Sequence, residues 1–294
     1  MGDIITCEPI SRYLRSKNNS AYIIWVVSNS YKELVEKNPD ISYVFGLDFF
    51  SEWVMLKAFI EKRLIRTKVY DLHLTNKRCP TYNMLLDKQG QNLDLDDIFK
   101  NNRNLTQLFS KNSNLPVLND APIFYLDAAK TIDLPPAPYI VFHTQTNADF
   151  KDWQPALWLR LYKNLAAKGF NVVEVGIKKQ IVDASDNYID FTGRQSLQSI
   201  GHLIANCKFF IGLDSGFAHM ASALKINGLV LMGQFVPRGQ LIFTKYNPFS
   251  GLYANPAFIV NTETGGTPTL EFEKVYERVE QALLNNNIVR PGVN

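Results

Sequence analysis

Only three of the 294 residues are cysteine, Cys7, Cys79 and Cys207, and they lie far apart. No two of them have the close spacing of metal ligands, and an odd count argues against a secreted disulfide framework. Such usage suits a reducing cytoplasm. Long hydrophobic runs are also missing. None approaches the roughly 18 residues needed to cross a bilayer, and Met1 to Lys17 has no basic-then-apolar leader. Charge is sparse and nearly balanced: charged residues are 20% of the chain and the formal net charge is +3. Without a concentrated basic patch, that excess does not make a nucleic-acid partner. It would suit weak attraction to an anionic membrane surface. There is no internal repeat, no low-complexity tract and no carboxylate cluster that calls for a metal.

What is present is a globular balance, with 46% hydrophobic residues, in a chain long enough for about two ordinary domains. Strand and helix patterns alternate throughout, which implies doubly wound parallel sheets. In the first half, Ile10 to Lys17 reads as the end of a helix. Ala21 to Val27 is an almost unbroken apolar run, as in a buried parallel strand. Ser30 to Lys37 is a short helix, Ile41 to Phe45 a strand, Glu52 to Leu64 a helix, and Lys68 to Leu74 strand-like. Asn76 to Asn119 is polar, with one helix near Leu105 to Phe109. Three prolines in Leu134-Pro135-Pro136-Ala137-Pro138 fit neither a helix interior nor a central strand. They divide the chain into domains over 1–134 and 139–294.

The second half is more regular. Tyr139 to His143 is a strand. Pro155 to Lys168 is a helix opened by its proline and stopped by Gly169. Asn171 to Gly176, Phe209 to Leu213 and Gly228 to Gly233 are strands. Leu197 to Asn206 and Gly216 to Leu224 are helices, and Phe272, Val275, Val279 and Leu283 mark one face of a C-terminal helix.

Three segments carry candidate chemistry. In Phe210 to Leu224 a buried strand ends at Asp214, and a turn of small residues, Ser215 and Gly216, opens a helix at once. Open α/β sheets bind ligands at the carboxyl ends of their strands. The first amides of the helix lack internal partners, and with the helix dipole they suit a phosphate. His219, one turn in, could reach the same anion. The same residues also fit an ordinary strand–turn–helix with Asp214 or Ser215 as N-cap. The second segment, His143 to Trp153, follows a strand and offers hydroxyls, amides and Lys151 for a diphosphate. Equally it fits a polar loop with Trp153 packed beneath a helix. The third is Asp3, a carboxylate before a helix that could accept a proton from a hydroxyl, or a frayed end.

Together these segments resemble glycosyltransferase family 9, the bacterial heptosyltransferases of lipopolysaccharide assembly. The likeness is strong from Tyr139 to Gly233, fair from Gly2 to Leu74 and weak between Asn76 and Asn119. Asp214-Ser215-Gly216 with His219 and an Ala-rich helix is similar to the family's donor-diphosphate signature. Lys151 and Trp153 stand where the family has a lysine and a tryptophan, and Thr192 to Leu197 resembles the stretch leading to the signature strand. Gly2-Asp3 and the Pro9 that follows resemble the family's N-terminal Gly-Asp motif, which explains these residues better than the myristoylation pattern that Met1 to Thr6 fit by coincidence. The family has a strand before that motif and this sequence starts at it, so the N-terminal domain is expected to lack its usual first strand. Two departures stand out. Ile177-Lys178-Lys179 follows Gly176, where the family commonly has an acidic residue near the nucleotide, and Gln234 to Arg238 replaces a Pro-Thr.

The resemblance implies a GT-B fold of two Rossmann-like domains and an inverting, metal-independent transfer from a nucleotide sugar such as ADP-heptose. Asp3 would be the general base. Thr144, Gln145, Thr146, Lys151, Asp214, Ser215, Gly216, Phe217 and His219 would hold the donor. The resemblance also implies a glycan or glycolipid acceptor, no cofactor beyond the donor, and a cytoplasmic protein peripheral at the inner membrane. Two alternatives use the same fold. One is a nucleotide-sugar-binding protein without activity, and the other is an epimerase that needs no acceptor.

Overall fold

The computed structural model describes residues 1–63, 66–72, 77–78, 85–87, 104–130, 132–182, 185, 187–193, 195–233, 259–261 and 266–288. The chain forms two compact units, one of Asp3–Tyr125 and one of Met1–Gly2 with Leu126–Asn294.

The first unit begins at Asp3, within helix α1 (Gly2–Thr6), and continues with helix α2 (Glu8–Lys17). Pro9 sits in the first turn of α2, where a missing N–H costs no helical bond. Strands β1 (Ile24–Ser28) and β2 (Tyr43–Leu47) pair in parallel, with Ile24 beside Tyr43 and Ser28 beside Leu47. A 3-10 helix, Asn29–Leu34, begins the connection between them. Helix α3 (Phe50–Arg63) follows, then a short antiparallel pair, β3 (Lys77–Arg78) with β4 (Leu85–Asp87). Helix α4 (Leu105–Asn112) starts with a capping box in which Asn104 and Gln107 satisfy each other's backbone N–H groups.

Cys7, Ile10, Phe109 and Leu118 form the small core of this unit. Beside it lies a buried carboxylate. Glu8 accepts hydrogen bonds from Arg12 Nε (2.8 Å), the Ile123 N–H (2.9 Å) and the Tyr125 hydroxyl (3.3 Å), which ties the segment before Leu126 to α2. The strand expected over Lys68–Leu74 does not form across its described part, 68–72. Asp71 is engaged sideways instead. Its carboxylate accepts from Trp53 Nε1 (3.2 Å) and Lys57 Nζ (2.5 Å) of α3, and its carbonyl from the Ser113 hydroxyl (3.2 Å).

The second unit is a parallel sheet of six strands: β5 (Tyr139–His143), β6 (Asn171–Gly176), β7 (Tyr188–Thr192), β8 (Phe209–Leu213), β9 (Gly228–Met232) and β10 (Ile259–Asn261). Their spatial order is β10-β9-β8-β5-β6-β7. Every residue of β5, β8 and β9 is buried. That is why these strands read as apolar runs rather than as alternations.

Helices α5 (Pro155–Ala166), α6 (Leu197–Ala205), α7 (Gly216–Ala223) and α8 (Phe272–Asn285) cover the sheet. On one face Ile140, Phe142, Phe209 and Ile211 pack with Trp158 of α5 and Val275 of α8. Burying each such side chain is worth about 2 kcal/mol. Tyr139 points to the other face, where its hydroxyl donates to the Leu203 carbonyl of α6 at 2.7 Å. The sheet is therefore doubly wound. Pro155 opens α5 as the sequence implies. Beyond its end Gly169 takes φ 83°, and the Phe170 N–H returns to the Leu165 carbonyl at 3.2 Å.

The strand order fixes where a ligand can sit. From β5 the chain steps outward to β6 and β7, then crosses back to place β8 on the other side of β5. The crevice between the carboxyl ends of β5 and β8 is thus the topological switch point, the usual ligand site of open α/β sheets. Among the described residues no helix is long and apolar enough to cross a membrane.

Candidate functional site

At the switch point His143, last residue of β5, pairs in register with Gly212 of β8. A side chain at Gly212 would collide with the Phe210 ring, 2.6 Å from an added Cβ, and would crowd His143 Cβ at 3.2 Å. Glycine here lets the two strands place their next residues close together. After β8 come Asp214 and then Ser215, the N-cap of α7, whose side chain accepts from the Ala218 N–H at a long 3.5 Å. The first intrahelical bond is from the His219 N–H to the Ser215 carbonyl, at 3.2 Å. The Gly216 and Phe217 N–H groups precede it and have no acceptor within the helix. They stand at the switch point with the positive end of the helix dipole, and the Met1 side chain packs beside them, 2.7 Å from where a Cβ on Gly216 would stand.

His143 opens the second candidate segment but is not among the residues expected to hold the donor. Its Nδ1 lies 3.0 Å from Ser215 Oγ, and its ring meets the Phe217 ring edge-on with centroids 4.8 Å apart. Burial lowers its pKa to about 3. His219, also buried, is lowered to about 4 by desolvation first, with Asp214 pulling upward and Lys151 downward. Both imidazoles are therefore neutral at physiological pH. Lys151 brings positive charge to the site, its Nζ 2.7 Å from Asp214 Oδ2 with both side chains partly exposed, and the N-terminal amino group acts on His219 in the same sense.

Lys151 closes a single 3-10 turn, Asp149–Lys151. The loop before it is self-bonded. Thr146 donates both its N–H and its hydroxyl to Asp152 Oδ1, each at 2.7 Å, and its hydroxyl oxygen accepts from the Ala148 N–H at 3.1 Å. Trp153 is core: its Nε1 donates to the Leu270 carbonyl at 2.8 Å, and its ring stacks with Phe272 at 6.2 Å and lies edge-on to Trp158 at 5.3 Å.

Thr144 turns the other way, and its hydroxyl donates to the buried Glu174 of β6. Gln145 meets Gln180, whose Nε2 donates to Gln145 Oε1 at 3.1 Å. The structure thus gathers Lys151, Asp214, Ser215, Gly216, Phe217 and His219 around His143. Gln145 lies towards β6, while the hydroxyls of Thr144 and Thr146 are taken up inside the unit. Asp3 belongs to the other unit, exposed in the first turn of α1, where its carbonyl accepts from the Thr6 hydroxyl (3.0 Å) and the Cys7 N–H (3.2 Å). Among the described residues no group of three or more His, Cys, Asp or Glu is placed to hold a metal ion.

The fold and this helix start define a class, the GT-B glycosyltransferase architecture. The same fold is found in the Escherichia coli ADP-heptose lipopolysaccharide heptosyltransferase II, with a TM-score of 0.69 and 18% identity, covering 97% of this chain and 96% of that one. The dodecameric iron-containing heptosyltransferase TibC, in complex with ADP-D-beta-D-heptose, matches with a TM-score of 0.62 and 15% identity, covering 98% of this chain and 73% of that one.

The family model described as glycosyltransferase family 9 (heptosyltransferase) matches residues 76–239, and the chain belongs to that family. Over 107 residues it is 29% identical to the lipopolysaccharide heptosyltransferase 1 of Salmonella typhimurium, a match spanning 34% of this chain and 33% of that protein. The matches span from 29% to 48% of the length of the curated relatives.

Proposed function

We propose that the chain transfers a sugar, heptose in the first instance, from a nucleoside-diphosphate sugar to a lipopolysaccharide or other cell-surface glycan, with inversion and without a metal. Membership of family 9 and the ADP-heptose named for two proteins of the same fold support the donor class. One observation carries the reading. The amide end of α7 lies at the β5–β8 switch point, with Lys151 and two neutral histidines beside it.

In glycosyl transfer, negative charge grows on the departing diphosphate, so stabilisation is needed there most. The Gly216 and Phe217 amides and Lys151 are suited to meet it. Thr144, Thr146 and Asp152 serve by shaping the loop that carries Lys151, and Gln145 faces the nucleoside side. Asp3 takes the proton of the acceptor hydroxyl as that oxygen attacks the anomeric carbon. This role rests on the likeness of Gly2-Asp3 and Pro9 to the family motif. With the reading goes a cytoplasmic place, peripheral at the inner membrane.

The test is incubation of the protein with ADP-heptose, with and without lipopolysaccharide core acceptors, followed by mass analysis. The reading expects acceptor-dependent release of ADP that persists in a chelator. A free or isomerised sugar formed without acceptor would mark an epimerase. Binding of ADP with no turnover of any donor would mark an inactive binder. Turnover abolished by the chelator and restored by iron would remove the metal-free step.

A further inference from the structure

Strand β6 holds a charged residue flanked along the strand by valines, beside Phe142 of β5 and Asp190 of β7. Glu174 lies between Val173 and Val175 and is completely buried. Among the described residues no basic side chain forms an ion pair with it. Its two oxygens instead take four hydrogen bonds from three elements. Oε1 accepts from the Thr144 hydroxyl, beyond β5, and from the Gln180 N–H at 2.9 Å. Oε2 accepts from the Ile181 N–H at 3.2 Å and from the Tyr188 hydroxyl of β7 at 2.5 Å. A carboxylate has about four lone-pair positions, so this one is saturated and has none left for a ligand. A buried carboxylate is costly unless fully bonded, and an apolar residue would complete the strand more simply.

What the arrangement achieves is visible in the loops. Two bonds fix the backbone of Gln180 and Ile181 in the segment after β6, and one fixes the residue that opens the loop after β5. Both loops are drawn to one carboxylate. Where they meet, Gln180 Nε2 donates to Gln145 Oε1 at 3.1 Å. The paired amides stand at the carboxyl ends of β5 and β6, next to the switch point where α7 opens. A diphosphate at α7 leaves its nucleoside to lie along this edge.

We propose that Glu174 is a positioning residue. It clamps the loops after β5 and β6 so that Gln145 and Gln180 form one preset amide edge that binds the nucleoside part of the donor. The inference rests on the reading of α7 as the diphosphate site, and it divides recognition into two parts. The diphosphate is held by α7 and Lys151, and the nucleoside by the glutamine pair set by Glu174.

Calorimetry with ADP and with inorganic pyrophosphate separates the parts. Glu174→Gln puts an N–H group where an N–H or O–H already points, so the loops must part. Losing one or two well-placed hydrogen bonds to the nucleoside should weaken ADP binding roughly tenfold, while pyrophosphate affinity falls far less, because Thr146 and Asp152 still hold the turn that carries Lys151. Gln145→Ala with Gln180→Ala should reproduce that split without touching the buried carboxylate, and it carries the test should Glu174→Gln fail to fold. In the double variant, ADP binding unchanged, or ADP and pyrophosphate weakened alike, would overturn the proposal. Wild-type protein that binds neither ligand would overturn the diphosphate site itself, and the clamp's role with it.

Discussion

Acidification from pH 7 to pH 5 is expected to remove about 4 kcal/mol of unfolding free energy through two histidines of the second unit. His143 and His219 are only 4% and 6% exposed, and burial lowers their pKa values to about 3 and about 4. An unfolded histidine titrates near 6.5. Between these values the unfolded chain binds protons that the folded chain refuses. Stability therefore rises with pH across the window and falls as pH drops through about 6.5. From pH 7 to pH 5 the loss integrates to about 2 kcal/mol for each histidine. Glu8 in the first unit works the other way. Burial, the largest cause, raises its pKa above the ordinary value, so its contribution is present at low pH and lost as pH rises through the folded value. The histidine effect is isolated by comparison. Urea unfolding is followed by tryptophan fluorescence at pH 7 and pH 5 for wild type, His143→Gln and His219→Gln. Each variant should lose about 2 kcal/mol of the pH dependence, whatever its absolute stability. Variants with the full wild-type dependence would show that the imidazoles are already charged or hydrated in the folded protein, and the neutral floor of the site would be wrong.

Three further outcomes follow from the same geometry. Lys151→Met should weaken ADP binding ten- to a hundredfold, the value of about 1.5–3 kcal/mol for a hydrogen bond to a charged group. Its melting temperature should barely move, because a partly exposed ion pair contributes at most about 1 kcal/mol; calorimetry and a thermal melt check both halves. Ser215→Ala removes the N-cap of α7 and should cost about 1 kcal/mol, a drop of roughly 2–4 °C in Tm for a domain of this size, together with weaker ADP binding. Asp3→Asn should lower turnover about 10²- to 10⁴-fold, the usual contribution of a positioned base, with donor affinity nearly unchanged, and full activity in the variant would end that assignment.

Much of the second unit is legible in the sequence because its physics is local. Tyr139 to His143 and Phe209 to Leu213 announce buried parallel strands by lacking polar alternation. Pro155 and Gly169 mark the limits of α5 by backbone chemistry alone. Ser215 before Gly216 marks the start of α7 in the same way. Strand order is not local, and it is what brings His143 beside Ser215 across 72 residues of chain. Glu174 did leave a signal, a lone charge within an apolar strand, but its four donors come from Thr144, Gln180, Ile181 and Tyr188, which no spacing links. In the first unit the pattern over Lys68–Leu74 looked like a strand, yet Trp53, Lys57 and Ser113 claim Asp71 in tertiary contacts that override the local preference.

The loop after β5 shows why residue type alone misplaces the work of a site. Thr144 and Thr146 carry hydroxyls of the kind that hold phosphates, but one is bonded to Glu174 and the other to Asp152. Either would have to give up an internal bond to serve a ligand, and a buried partner left unpaired costs about 1–3 kcal/mol. Helix geometry leaves the α7 amides without internal acceptors, and what stands beside Gly216 is the apolar Met1 side chain, which gives up no hydrogen bond by moving. Lys151 loses little either, because its pairing with Asp214 is partly exposed. Diphosphate recognition at this switch point should therefore depend on backbone amides and one lysine, with the threonines acting through loop shape. Thr146→Val would then disturb affinity only as far as it moves Lys151, and the Thr146→Val, Lys151→Met double variant should bind ADP no more weakly than Lys151→Met alone. Additive losses would place the Thr146 hydroxyl on the phosphate.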